Sequence, residues 1–257
     1  MTFRYLRLAA ALTFGAATAR VAAAQSASEH IALGDQLQAQ MKPAEALVHY
    51  QAAVQADSMS YEALWKASRD AGDIAEFEAD AAKRKELYRT AENYAQRAIA
   101  ANATDAEGHF YLARALGKVA LTLGKRDRVK YAGRVRDEAM AALKANPTHA
   151  GALHVMGRWN AEVMRLDGFS RFMAKNFLGG KVFNEASWDN AKRYLEQSVD
   201  VDPGRLTHHL DLGQIYADLG EKDKAKAQFE AVINGKETDY NDKFYKREAT
   251  AALNKLS

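Results

Sequence analysis

The chain has 257 residues, 48% of them hydrophobic and 27% charged, with three prolines and no cysteine. That length allows a sizeable core, and an alanine-rich chain so poor in proline favours helices throughout. The absence of cysteine excludes disulfides, Cys-ligated zinc, a thiol nucleophile and lipoprotein-type acylation.

The N-terminus reads as a targeting segment. A basic start, MTFRYLR, leads into the apolar run Leu8–Ala19 and then to the small residues Ala22–Ala24 before Gln25. This is the three-part pattern of a secretory signal over residues 1–24. The apolar run is too short to cross a bilayer, so no transmembrane span is expected in the mature chain. Export would make the protein periplasmic or extracellular. A mitochondrial presequence is the alternative, because Arg4, Arg7 and Arg20 occur there without an acid. Removing these three arginines leaves equal numbers of basic and acidic residues, and the net charge falls from +3 to zero. A nucleic-acid partner is therefore not expected.

Four related phrases then punctuate the chain: AAVQADS (52–58), RAIAANA (97–103), AALKANP (141–147) and QSVDVDP (197–203). Each places apolar residues, then Asp or Asn, then Pro or a small residue, a combination that closes a helix and turns the chain. The flanking residues recur in step. Leu33-Gly34, Leu37, Ala46 and Tyr50 near the start match Leu212-Gly213, Tyr216, Ala225 and Phe229 near the end. This is the L-G-x2-Y…A-x3-F spacing of the tetratricopeptide repeat.

The spacing predicts an all-α solenoid of five helix pairs, near 27–60, 61–105, 106–149, 150–205 and 206–239, with a capping helix in 240–257. The middle three units carry insertions. Gly34, Ser68, Ala113, Gly157 and Gly213 form a row of small residues where the helices of a pair cross. Ala46, Ala91, Val135, Ala191 and Ala225 form the facing row, and Leu33, Ala67, Leu112, Met156 and Leu212 fill the space beside them.

In such an array the first helix of each pair lines a concave groove. One groove row reads Ile31, Trp65, Phe110, His154, Leu210, and the next, one turn on, reads Asp35, Arg69, Arg114, Arg158, Gln214. Trp65, Arg69, Phe110, Arg114, His154, Arg158, Leu210 and Gln214 are thus the candidate ligand-binding residues. Three arginines beside aromatics suit a carboxylate or phosphate with an apolar portion attached. The structural alternative pairs these arginines with Glu62, Glu107 and Glu162. Trp159 reads as a packing residue.

Two inserted stretches stand out. Phe169, Phe172, Met173 and Phe177 recur at helical spacing within GFSRFMAKNFLGG (168–180), an amphipathic segment that packs on the array, forms a lid over the groove or contacts a membrane surface. GKRDRVKYAGRVR (124–136) is strongly basic, a solvated edge or a docking patch for anionic lipid or an acidic partner. The stretch AAKRKELYRTAENYAQRA reads as a lengthened second helix.

From Ala152 onward, ALHVMGRW, FMAKNFLGG, SWDNAKRYLEQSVDVDP and LDLGQIYADLG resemble the tetratricopeptide domain of the regulator of microtubule dynamics family. YEALWKASR (61–69) fits the same family, and the resemblance covers roughly residues 27–252. It implies a non-enzymatic helical-repeat protein in which His154, Arg158 and Trp159 belong to the family's characteristic segment. The chain departs from that pattern in having Asn160 where eukaryotic members often carry Cys. The family name implies cytoskeletal binding, which an exported chain would not perform.

No Walker loop, dinucleotide fingerprint, H-E-x-x-H or G-x-S-x-G occurs, and no cofactor, metal site or enzymatic activity is expected. The expected function is binding, through the groove, of a protein or peptide partner with an acidic or carboxylate-bearing segment. The alternative is a carrier or sensor for an amphipathic anion such as a phospholipid.

Overall fold

The computed structural model describes residues 26–166 and 180–256, where all regular structure is helical. The targeting segment read at 1–24 and the candidate lid residues Phe169, Phe172, Met173 and Phe177 lie outside the described residues. Helix α1 covers 26–39. It is followed by α2 (Pro43–Ala56), α3 (Tyr61–Glu76), α4 (Ala81–Ala101), α5 (Ala106–Leu121), α6 (Lys125–Ala145) and α7 (Ala150–Arg165). After a 3-10 turn, Gly180–Glu185, come α8 (Trp188–Val201), α9 (Leu206–Asp218), α10 (Lys222–Asn234) and α11 (Asp242–Leu256).

The repeated phrases are the helix stops. Asp57, Asn102, Asn146 and Asp202 each occupy the position just after a helix, the first three with extended backbone. In the first three the side-chain oxygen accepts from the amide two residues on, at 3.0–3.1 Å. Such Asx turns satisfy the chain as it reverses. The inner turn of the last pair ends differently, at Gly220 (φ +75°), with Glu221 N donating to Tyr216 O at 2.8 Å. Met41 holds the same left-handed place in the first pair. Helix starts are capped by Asp80, Asp105, His149 and Ser187, whose side chains accept backbone N–H groups.

Each helix packs on its chain neighbours, and α3, α5, α7 and α9 also touch in succession, forming an inner layer backed by the even-numbered helices. The core lies between the layers. Ala46, Ala91, Ala191 and Ala225 are buried, as are Ala67, Leu112, Met156 and Leu212. Leu33, expected in the same row, is instead 44% exposed, because among the described residues no helix covers that flank of α1. Gly157 shows why small residues recur: a Cβ there would lie 2.5 Å from Leu195 Cγ, and one at Gly213 2.6 Å from Phe229 Cε1. Gly117, on α5, has open space around it. Gly117→Ala is therefore expected to stabilise the protein by about 0.5–1 kcal/mol, through helix propensity alone. Gly157→Ala should destabilise it, because Leu195 must move. Urea unfolding of the two variants checks the opposite signs.

Helix α11 covers the end of the array, as a cap would, with Tyr245 and Ala249 entering the core formed by Leu206, Leu212, Phe229 and Val232. It also reaches the second pair. Phe244 stacks on Phe77 at 4.2 Å between ring centroids, and Asn241 Nδ2 donates to the Asp73 carbonyl at 3.0 Å. The array is curved enough for its end to meet α3. Among the described residues, no helix is long and apolar enough to cross a membrane.

Candidate functional site: a chamber on the concave side

The inner helices bound a chamber of about 1540 Å³, with α6 and Phe183 on one side and α11 on another. Arg69, Phe110, Arg114, His154, Arg158 and Leu210 line it. The remaining two candidates do not. Trp65 stacks on Tyr111 of the next pair (5.5 Å, interplanar angle 4°) and packs with Ile31 in the first core cluster. Gln214 is exposed and its amide faces Asp218 on the same helix, at 3.4 Å. Both are one turn or one flank away from the chamber wall, because the inner helices rotate relative to one another along the array.

The arginines are paired, but with different acids from those expected. Arg69 Nε donates to Asp70 at 2.8 Å. Arg114, on α5, reaches back to α3, donating to Asp73 at 2.5 Å and Glu76 at 3.3 Å. Arg158 Nη1 lies 2.8 and 3.0 Å from the two carboxylate oxygens of Asp211 on α9. Glu62 serves Lys66, Glu107 lies near His149, and Glu162 pairs chiefly with Arg165. Acids on a neighbouring inner helix lie opposite the forks of Arg114 and Arg158, and Arg69 takes the next residue of its own helix, whereas the expected glutamates mostly point along their own helix. The result is a set of cross-links between successive inner helices: Lys66 to Asp35, Arg114 and Lys118 to α3, and Arg158 and Arg165 to α9.

His154 and Arg158, one turn apart, converge on one carboxylate. His154 Nε2 lies 2.6 Å from Asp211 Oδ2. Burial by itself would raise the Asp211 carboxyl, yet Arg158 and His154 hold it well below the usual carboxylate range. Burial would likewise raise Glu76, but Lys118 and Arg114 hold it at about 2. His208, whose ring centroid lies 4.9 Å from that of His154, is pushed down to about 2 by burial, with His154 and Arg205 adding to the shift. It is neutral at ordinary pH.

Asp70 behaves in the opposite way. It is fully buried, and its Oδ2 lacks a hydrogen-bond partner among the described residues. Burial pushes its carboxyl up to about 7, outweighing Arg69. A carboxyl raised by folding contributes stability in acid that is lost as pH rises through about 7. Asp70→Asn is thus expected to change little at pH 5 and to raise the urea midpoint at pH 8. An equal difference at both pH values would show that Asp70 is ionised throughout.

The rest of the wall is apolar. Phe110 lies across Gly151, where a Cβ would approach its ring to 2.5 Å, and packs on Tyr111 and His149. Val135, Val155, Val163 and Leu210 continue the surface. Trp159 is a packing residue: its Nε1 donates to Ala132 O at 2.8 Å and its ring stacks on Phe183. The basic stretch 124–136 forms the start of α6, where Arg134 lies over Tyr131 and Arg136 pairs with Glu185. Among the described residues no group of three His, Asp or Glu is arranged to hold a metal ion.

Asp70, Asp73, Glu76 and Asp211 were not singled out from the sequence. The available signal was an acid on the apolar side of an inner helix: Asp73 between Gly72 and Ile74, and Asp211 between Leu210 and Leu212.

Comparison with known proteins follows the same lines. The sequence profile of the regulator of microtubule dynamics protein 1-3 family matches residues 30–257. Regulator of microtubule dynamics protein 1 of Bos taurus is 26% identical over 168 residues, covering 65% of this chain and 52% of that protein. The Homo sapiens protein is 26% identical over 161 residues, covering 62% and 50%. The chain thus spans about half the length of the curated relatives it matches. A thermophilic TPR protein of Thermus thermophilus superimposes with a TM-score of 0.60 at 20% identity, covering 88% of this chain and 99% of that one. That likeness concerns the fold.

Proposed function

The chain belongs to the regulator of microtubule dynamics protein 1-3 family, and on that footing we propose that it is a non-catalytic interaction protein whose chamber receives a segment of a protein or peptide partner. The observation that carries this reading is the chamber itself, built from side chains that face inward at corresponding positions of successive inner helices. Repeat proteins use such concave surfaces for binding. Its apolar wall suits a hydrophobic side chain of the partner. Arg158 is the most exposed of the three groove arginines, at 36% against 17% and 18% for Arg69 and Arg114. With donors left beyond those given to Asp211, it is the place where a carboxylate of the partner docks. Arg69, held by Asp70 and Tyr50, and Arg114, a cross-link to α3, are structural in this reading rather than ligands.

A second reading, an amphipathic anion such as a phospholipid, is favoured by one observation: Phe110, Val155 and Leu210 lie on the same wall as Arg158. Export, with residues 1–24 as the signal, is part of the proposal. Microtubule regulation, which the relatives' names carry, is not extended to an exported chain.

The test is site-specific photocrosslinking in producing cells. A benzoylphenylalanine at Leu210, inside the chamber, should give discrete protein adducts, while one at Val48, 63% exposed on α2, should not. Absence of chamber-specific adducts, together with a stoichiometric lipid in native mass spectra, would replace the first reading by the second.

A further inference from the structure

The chamber is not bounded by the repeat helices alone: Thr238, Asp239, Tyr245 and Glu248, from α11 and the segment before it, line it too. Helix α11 is held in two unlike ways. On the α9 and α10 side the contact is apolar, with Tyr245 and Ala249 buried in the cluster that contains Leu212, Ile215, Phe229 and Val232. Burial of that kind is satisfied by shape and needs no partner atoms.

On the α3 side Phe77 stacks on Phe244 and meets the edge of Tyr245, whose hydroxyl bonds Glu76, and a polar seam runs beside them. Asn241 Nδ2 donates to Asp73 O, Asn241 N to Asp239 Oδ1 at 3.1 Å, and Asp239 pairs with Arg205 at 2.8 Å. That seam is under-satisfied. Asn241 Oδ1, Asp242 Oδ1, Asp73 Oδ2 and Asp70 Oδ2 are all buried polar oxygens without a hydrogen-bond partner among the described residues. Polar oxygens of this kind are solvated readily on opening, whereas the apolar face opposite loses its burial. One side of α11 is therefore the durable attachment and the other the one that gives way first.

We propose that α11 is the gate of the chamber, hinged on the last helix pair and latched to the C-terminal end of α3 by Asn241 and Phe244, so that a ligand enters when the latch lifts. This rests on the chamber being the binding site and adds how access to it is controlled. Helix α11 in the latched position is also a competitor for the space a bound segment would use, since Tyr245 and Glu248 face it. Opening by local release of one terminal element is among the ordinary ways a packed array admits a ligand.

The full chain, which has no cysteine of its own, allows a direct test. Leu210→Cys places a thiol on the chamber wall, and Ala139→Cys places one in the α6 core away from it. The probe is a bulky, membrane-impermeant maleimide, whose labelling rate follows the open population when opening is fast relative to reaction. With the latch intact, Leu210→Cys should react at least tenfold more slowly than an exposed Val48→Cys. Adding Asn241→Ala or Phe244→Ala should raise the Leu210→Cys rate at least tenfold and leave the Ala139→Cys rate unchanged. The proposal is overturned if Leu210→Cys is already as reactive as Val48→Cys, if the latch variants do not speed it, or if both buried thiols speed up together. The last result would mean that the substitutions loosen the whole fold. None of these readings uses the partner, so an absence of chamber crosslinks in cells would sink the proposed function while leaving the gate intact.

Discussion

Arg114→Met is expected to lower the stability of the protein by about 3–5 kcal/mol at pH 8, the range for stripping one partner from a buried ion pair. Asp73 is 1% exposed and its Oδ1 has no other side-chain partner among the described residues, while Glu76 would keep Lys118 and Tyr245. For a chain of this size the loss corresponds to a fall of roughly 10 °C in melting temperature. The deficit should shrink at pH 5. Burial already raises the Asp73 carboxyl against the pull of Arg114, and without that arginine the group will take up a proton more readily still. Arg114→Met combined with Asp73→Asn should recover part of the loss, because no uncompensated charge then remains. Differential scanning calorimetry of the single and double variants at both pH values is the measurement. A loss below 1 kcal/mol would mean that this cross-link between α3 and α5 is solvated and does not hold the curvature.

Asp211→Ala should cost about 3 kcal/mol, because it leaves Arg158 and His154 facing an empty position between α7 and α9. The pH dependence has the sign opposite to that of Asp70. A carboxyl held below its unfolded value contributes stability that is present above about pH 4 and disappears as pH falls through the folded value. The wild-type advantage over Asp211→Ala should accordingly be full at pH 7 and clearly reduced, though not abolished, at pH 2. Urea titrations at the two pH values decide it. A constant difference would assign the loss to cavity formation instead of charge.

These two carboxylates show where sequence reasoning about the site stopped. His154 and Arg158 share a helix face by their spacing alone, and both do reach one side of α7. Their common partner is 53 and 57 residues away, on another helix pair, and nothing in ALHVMGRW points to LDLG. The nearer acid, Glu162, lies at the right i+4 distance but its oxygen is 3.9 Å from the guanidinium. Tertiary geometry placed a better acceptor opposite. Trp65 repeats the lesson: its position in the row is regular, and Tyr111 of the neighbouring pair takes up its ring.

What the sequence by itself determined is the helical-repeat fold. The small-residue rows, the Asp or Asn that ends each second helix, and the apolar residues beside them are local signals, each sensed within one helix pair. Only the tertiary structure decided how far the array curves, which acids neutralise the groove arginines, and that α11 returns to α3. Curvature is the sum of small rotations between successive pairs, so a slight angular difference at each junction moves the end of the chain by many ångströms. Local spacing determines which residues face inward, whereas their partners depend on that accumulated sum.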